Sequence, residues 1–279
     1  MLCLLDRRFS GSGFTAWKAV CAAVAACGGS AAFAQTATPA TAGLHGLVAF
    51  GPGVAPRFDG SDRYQPIPFV VAHLSFGRST IDVQGTSVRA GLLHAGALSF
   101  GPALNLRLAR KSTAFDREVR LPRIDTAIEA GGFAELGLMK DGQGEPRVRF
   151  DLAILRDVSG THDGMIVAAG ASYGLLTVGR VRLTGDVQLR YASKGFMRTY
   201  FGVDDTMAHH TGFVPYSPSG ALEAGTIGAT LDYRLARRWG LLTRLAYSRL
   251  TSEASDSPIV EQVGSRGQIT AGLALSYRF

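Results

Sequence analysis

The closing segment of the chain, Gln268–Phe279, alternates with period two. Ile269, Ala271, Leu273, Leu275, Tyr277 and Phe279 share one face, and Gln268, Thr270, Gly272, Ala274, Ser276 and Arg278 share the other. Successive side chains of a strand point to opposite sides, whereas a helix would scatter both sets around its circumference. The same pattern recurs upstream. Val181, Leu183, Val187, Leu189 and Tyr191 oppose Arg180, Arg182, Thr184, Asp186, Gln188 and Arg190. Ile227, Ala229, Leu231, Tyr233 and Leu235 oppose Thr226, Thr230, Asp232 and Arg234, and Trp239, Leu241, Leu245 and Tyr247 oppose Arg244, Ala246 and Ser248. The periodicity predicts an all-β chain of about twelve strands, near 44–51, 66–76, 79–93, 97–110, 126–140, 146–157, 164–176, 179–192, 196–203, 222–236, 238–251 and 266–279. The third of these also fits two short strands. Several exceed the mean soluble strand of ~5–6 residues and suit the ~9–11 residues that cross a bilayer at a tilt. An even number returns the chain to the side on which it started, as in single-chain outer-membrane barrels.

Alternation alone does not say which face meets lipid, because a soluble barrel has the same period with its faces reversed. The start of the chain bears on this. Arg7, Arg8 and Lys18 precede an Ala-rich apolar run from Ala19 to Cys27, and Ala32-Phe33-Ala34 follows. Basic region, short apolar region and A-x-A box are the parts of a secretory signal peptide. Cleavage is expected after Ala34, leaving residues 35–42 (QTATPATA) as a flexible lead-in and 43–279 as the barrel. An uncleaved anchor and lipoprotein processing at Cys27 are the alternatives. All three cysteines, Cys3, Cys21 and Cys27, fall in the leader, so the exported chain carries no disulfide. Charged residues make up 18% of the chain against a usual quarter, and small residues mix with charge on the polar faces. Together with export, this favours a transmembrane antiparallel up-and-down β-barrel in the cell outer membrane, with a wet lumen and outer-membrane lipid around it. Leu273, Leu275, Tyr277 and the terminal Phe279 resemble the C-terminal signature read by the barrel-assembly machinery. Trp239, Tyr247, Tyr233 and Tyr191 are candidates for aromatic girdles.

Catalytic and metal-binding patterns are sparse. Asp204, Asp205, His209 and His210 place two carboxylates and two imidazoles within seven residues, enough for acid–base work or for a cation. The plainer reading is a solvated loop between strands. Neither G-x-S-x-G nor H-E-x-x-H occurs. Asp59-Gly60-Ser61-Asp62 lacks the ligand density of a calcium loop and reads as a tight turn, and Asp256-Ser257-Pro258 reads as turn initiation. No cofactor is called for. The net charge of +7 is not a nucleic-acid signal, since no basic run or RNA motif is present. The other chemistry lies in the charges expected to face the lumen: Arg180, Arg182, Arg190, Arg234 and Arg244, with Arg147 and Arg149, against Asp186, Asp232, Glu129, Glu135 and Asp151. Opposite charges in a narrow barrel pair across strands and plug it, whereas an excess of arginine makes an anion-favouring constriction.

Three stretches carry a family resemblance. The first is GVAPRFDGSDRY (53–64), containing Asp59, Gly60, Ser61, Asp62 and Tyr64 and followed by Pro66 and Pro68. The second is Tyr200-Phe201-Gly202-Val203 with a later Tyr216. The third is Asp256-Ser257-Pro258-Ile259-Val260, then Gln268 and the closing Tyr277-Arg278-Phe279. In order and spacing the chain from Gly46 to Phe279 resembles the MipA/OmpV family of outer-membrane proteins (MltA-interacting protein). Phe58 stands where the family often has Tyr, and Glu253-Ala254-Ser255-Asp256 departs from its usual run. The resemblance implies a non-enzymatic outer-membrane barrel. In founding members such a barrel holds a lytic transglycosylase near a murein synthase. The alternatives are a channel for small solutes, a hydrolase built on His209 or His210, and a soluble periplasmic barrel. As a docking surface the charged connection 111–125 is the candidate. Strand counting puts it on the periplasmic side and puts 52–65, 204–221 and 252–265 on the outside.

Overall fold

The computed structural model describes residues 43–111, 113–115, 119–140 and 146–279. The expected leader and its lead-in lie outside the described residues. Thirteen strand segments form one sheet that closes on itself. In chain order the wall begins with β1 (His45–Pro56), β2 (Tyr64–Phe76), β3 (Ser79–Gln84), β4 (Ser87–Gly91), β5 (Leu93–Ala95) and β6 (Leu98–Arg107). A small hairpin of β7 (Thr113–Phe115) and β8 (Val119–Leu121) stands apart from it. The wall continues with β9 (Ala127–Lys140), β10 (Pro146–Asp157), β11 (Met165–Val178), β12 (Val181–Ala192), β13 (Ala221–Arg234), β14 (Trp239–Leu250) and β15 (Gly267–Arg278). β4 and β5 are two pieces of one wall strand, and both pair with β6. The barrel is therefore twelve-stranded. Its seam is antiparallel pairing of β1 with β15, from Leu47↔Arg278 to Val54↔Ala271. Closure leaves no open sheet edge around the ring, which matters because lipid offers no hydrogen bonds to backbone groups.

One strand is lost and the alternative of two short strands at 79–93 is realised, and the two changes cancel in the count. The segment 79–93 is a hairpin, turned at Gly85-Thr86, so it supplies two wall strands. The segment 196–203 is not a strand. Lys194–Phe201 forms a helix, α1, whose Phe196, Met197, Tyr200 and Phe201 are all buried. These positions recur at helical spacing, i, i+1, i+4 and i+5, and put one apolar stripe against the barrel interior. The short run also mimics strand alternation, which is how the two become confused.

Exposure settles the sense of the faces. Ile227 and Leu245, on the outward face, are 60% and 57% exposed, while the inward Arg244 and Asp186 side chains are only 20% and 21% exposed. An apolar exterior around a charged interior is the membrane arrangement. Among the described residues no helix is long and apolar enough to span a membrane, so the strands do the crossing. Tyr233, Trp239 and Tyr277 gather near the end of the barrel that carries the termini, with the Trp239 and Tyr277 rings 4.9 Å apart. Tyr191 and Tyr247 lie toward the other end.

The two ends differ. At the terminus end the connections are short, at 77–78, 96–97, 179–180 and 235–238. At the opposite end, apart from the tight turn at 85–86, they are long, at 57–63, 108–126, 158–164, 193–220 and 251–266. Short turns face the periplasm and long loops the exterior in barrels of this kind. This corrects the side assigned to 111–125. With 196–203 removed and 79–93 split, that connection joins the outer end together with the β7–β8 hairpin. The outward placement of 52–65, 204–221 and 252–265 stands.

The long connections fold over the outer mouth. α1 is followed by α2 (Asp205–Thr211), and the last connection holds α3 (Ser252–Ser255) and α4 (Pro258–Val263). Phe196, Met197, Tyr200 and Phe201 pack with Ile166, Ala192, Leu250 and Val260. Leu121, Val203, Met207, Phe213 and Ile259 form an adjoining cluster with Phe58 and Tyr216. Most of the large fully buried side chains therefore sit in a plug at the outer end.

Candidate functional site

The plug rests on a layer of charge. Asp59 reaches down from the β1–β2 connection. It accepts from Arg107 Nη1 at 2.7 Å and lies 3.2 Å from Arg190 Nη2. Arg107 Nε donates to Glu129 at 2.8 Å, and Asn105 Nδ2 donates to the other Glu129 oxygen at 2.7 Å. Arg190 donates to both oxygens of Glu223, at 2.5 and 2.7 Å. Glu129 and Glu223 are 1% and 0% exposed. Glu223 points inward because of a bulge. Arg190 opposes Ala224 and Tyr191 opposes Leu222, so Glu223 is the extra residue and is turned toward the lumen. Arg107 also lies over the Phe196 ring at 4.7 Å, tying the charged layer to α1. His162 is fully enclosed. Its Nδ1 accepts from Gly164 N–H at 3.0 Å, and its Nε2 lies 3.3 Å from a Glu129 oxygen.

Electrostatics at the plug follow from enclosure. Burial pushes the Asp59 carboxyl up, but Arg190 and Arg107 together outweigh it and hold the group below the usual aspartate range. Arg110, on the connection beyond β6, lies over Phe58 and donates to the Tyr200 carbonyl at 3.1 Å. Burial draws its guanidinium down to about 10. Burial likewise pushes the Tyr200 hydroxyl up to about 12.

Parts of all three stretches behind the family resemblance meet in this plug, while the closing Tyr277-Arg278-Phe279 lies at the terminus end. Ser257 Oγ donates to the Phe201 carbonyl at 2.6 Å and caps α4 by accepting from Ile259 N–H, with Pro258 in the first turn. Gly60 has φ +96°, and a β-carbon there would come within 2.8 Å of Val260. Gln268 braces the same turn. It accepts from Gly60 N–H at 3.1 Å and donates to the Ser61 carbonyl at 2.9 Å. Ser61 is buried, while Asp62 is exposed. Tyr64 accepts from Ile269 N–H at 3.1 Å, Gly202 closes α1, and Val203 bridges to Tyr216. Asp256 follows α3 as its C-cap. The turn read at 59–62 is present, but Asp59 is also a node of the ion network, which a turn reading does not anticipate.

The other sequence candidates separate. Asp204 is the N-cap of α2, accepting from Met207 N–H at 2.7 Å, and His210 contacts the Thr206 carbonyl on the exposed side. These residues form no joint site, and among the described residues no group of three His, Cys, Asp or Glu could hold a metal. Midway down the lumen Arg244 grips Asp186 with both nitrogens, at 2.8 and 2.9 Å, and Arg89 meets Asp151 at 3.3 Å. Gly228 makes room for the first pair, since a β-carbon there would lie 2.7 Å from Asp186. Arg190 belongs to the outer layer. Arg180, Arg182, Arg234 and Asp232 lie instead at the terminus end, where they line a cavity of about 600 Å³ with Arg149, Arg278 and Asp82. Leu273, Leu275, Tyr277 and Phe279 continue along the outward side of the last strand. Arg107 and Glu223 were missed by sequence reading. Arg107 closes a strand at a mouth whose partners are distant in sequence, and Glu223 breaks the alternation because of its bulge.

Comparison by sequence finds relatives among outer-membrane proteins. Over 148 residues the chain is 29% identical to the outer membrane protein Omp26La of Vibrio anguillarum, covering 52% of this chain and 54% of that one. Over 104 residues it is 26% identical to the putative outer membrane protein YiaT of Escherichia coli K12, covering 37% and 41%. The matches thus span about half the length of these relatives, or less. Among solved structures, the CymD monoaromatic hydrocarbon channel aligns with TM-score 0.40 and 11% identity over 85% of this chain and 89% of that one. The translocator domain of the autotransporter NalP from Neisseria meningitidis gives 0.37 and 12%, over 96% and 95%. The family model described as MltA-interacting protein MipA matches residues 48–279, the whole barrel with its plug, and the chain is an outer-membrane β-barrel protein belonging to that family.

Proposed function

We propose that this protein is a closed, non-enzymatic barrel that holds periplasmic murein-remodelling enzymes at the inner face of the outer membrane. The observation that carries the reading is the plug. The mouth is filled by α1 and α4, and the lumen below is crossed by the Arg107–Asp59–Arg190 layer and by the Arg244–Asp186 and Arg89–Asp151 pairs. Such a lumen suits an anchor better than a solute pathway. The family description names an interaction with MltA, and the short turns at the terminus end are the surface that faces periplasmic partners. In this reading Leu273, Leu275, Tyr277 and Phe279 deliver the chain to the barrel-assembly machinery, and outer-membrane lipid surrounds the wall.

Two measurements test it. In planar bilayers the purified protein is expected to be electrically silent. Photo-crosslinkers placed at Arg237 in the 235–238 turn are expected to trap a lytic transglycosylase or a murein synthase in cells. Steady ion conductance by the intact protein would favour the second reading, a channel for small solutes. Absence of any murein enzyme among the cross-linked partners would remove the scaffold reading.

A further inference from the structure

Two wall strands end their lipid-facing run on an arginine. On β10 the outward Phe150, Leu152 and Ile154 are followed by Arg156, and on β14 the outward Leu245 and Tyr247 are followed by Arg249. Both positions lie at the outer end of the wall. Arg156 opposes Met165 at the start of β11, and Arg249 opposes Gly267 at the start of β15. Both side chains are exposed, and among the described residues neither guanidinium has a hydrogen-bond or ion-pair partner. The nearby acids are engaged elsewhere. Asp157 is buried and accepts from the Ser159, His162 and Asp163 amides, and Glu261 is held by Arg266 at 2.5 Å. Asp256 also lies nearest Arg266, at 4.0 Å. Each free arginine stands beside a recess in the outward surface. Arg249 and Tyr247 line one of about 480 Å³, together with Glu261 and Arg266. Arg156 lines another of about 510 Å³, whose walls include Leu152, Ile154 and Met165.

We infer that Arg156 and Arg249 hold the phosphate groups of an anionic, phosphorylated lipid in the outer leaflet. A guanidinium presents paired N–H donors matched to phosphate oxygens. On the lipid face of a barrel an arginine is costly at the midplane and nearly free at the interface. These two stand at the interface, and Arg249 lies just beyond Tyr247, an amphipathic ring of the kind that sits at headgroup level. Basic side chains at that level attract anionic headgroups. The apolar walls beside each arginine continue the lipid-facing surface, so the occupant that fits both is an amphiphile, with its phosphate on the guanidinium and its chains along the wall. The lumen arginines are built otherwise, for Arg244 is gripped by Asp186 inside the barrel. The proposal does not depend on the scaffold reading, because the same lipid contacts would surround an anchor or a channel.

The test adds diphosphoryl lipid A to the detergent-purified full chain and counts retained lipid by native mass spectrometry. Lipid A is expected to stay bound to the wild-type protein, while lipid A stripped of its phosphates is lost. Excess inorganic phosphate is expected to leave the lipid in place, and its displacement by phosphate would assign the arginines to the free ion instead. The Arg156→Gln/Arg249→Gln variant, confirmed as a folded barrel by its heat-modifiable gel mobility, is expected to retain at least fivefold less lipid A. Should that variant fail to fold, phenylglyoxal labelling of the wild-type protein decides the matter. Lipid A is expected to protect Arg156 and Arg249 from modification while leaving Arg237, in a turn at the terminus end, unprotected. Equal retention of the phosphate-free lipid, retention unchanged in the folded variant, or equal labelling with and without lipid A would overturn the proposal.

Discussion

Glu223 and Arg190 show how a single residue decides the interior. Glu223 is fully buried and its two oxygens are both taken by Arg190. Removing one partner of such a pair leaves an uncompensated charge and costs about 3–5 kcal/mol, more than the pair contributes over an apolar replacement. Glu223→Ala is thus expected to lower the urea midpoint of the purified barrel markedly. The double change Arg190→Met/Glu223→Leu should recover part of the loss, and a double variant worse than both singles would contradict the account. Asp59 adds a pH dependence. Its folded-state value lies below the unfolded aspartate value of ~3.9. Its contribution is therefore complete above about pH 4–5 and is lost as pH falls through the folded value. Acid is expected to loosen the outer mouth, read as faster proteolysis of the 193–220 connection below pH 4. Asp59→Asn should be more open at neutral pH and show a weaker acid response.

Among the elements, α1 and α4 pack together through Val260 and are tied by a hydrogen bond from the Ser257 hydroxyl to the Phe201 carbonyl. Ser257→Ala removes a helix cap worth ~1 kcal/mol and strands a buried carbonyl at ~1–3 kcal/mol. Faster cleavage by added protease within 252–264 is expected, with the boiling-dependent gel shift unchanged because the wall is untouched. The last strand makes a separate prediction. Phe279→Ser is expected to reduce assembled barrel in cells while leaving refolding into detergent near normal, as recognition by the assembly machinery requires. Equal loss in both settings would assign Phe279 to stability alone. The helix at 194–201 was hidden from the pattern because Met197, Phe201 and Val203 also fall at alternate positions over so short a run. Only the surrounding barrel decides that Met197 and Phe201 point inward from a helix.

At the scale of the whole molecule, the lumen divides into a plugged outer end, a middle crossed by ion pairs and a cavity at the terminus end. Replacing residues 194–215 by a short Gly-Ser linker is expected to turn a silent barrel into a conducting one in planar bilayers. If conductance stays absent, the mid-lumen pairs Arg244–Asp186 and Arg89–Asp151 are the closure that matters. The order of the ends follows from connection length, which places the long connections opposite the termini.

Period-two alternation was enough to establish most of the strands, because a strand's two faces meet different surroundings and each residue must suit one of them. Segments such as 181–191 and 268–279 carry that requirement locally, and their inward and outward residues are where the alternation put them. The family resemblance was legible in three short motifs, though not the reason they belong together. That lies in tertiary contact, since Gly60, Phe201, Ser257 and Gln268 meet only after the barrel has closed and brought three connections and the start of the last strand to one mouth. The fate of the arginines was likewise undecided in the chain. Arg190 and Arg182 occupy the same face of one strand, yet one is held by a bulged glutamate at the outer end and the other lines the cavity at the terminus end. Charge pairing depends on register between strands distant in sequence, and that register exists only in the folded ring.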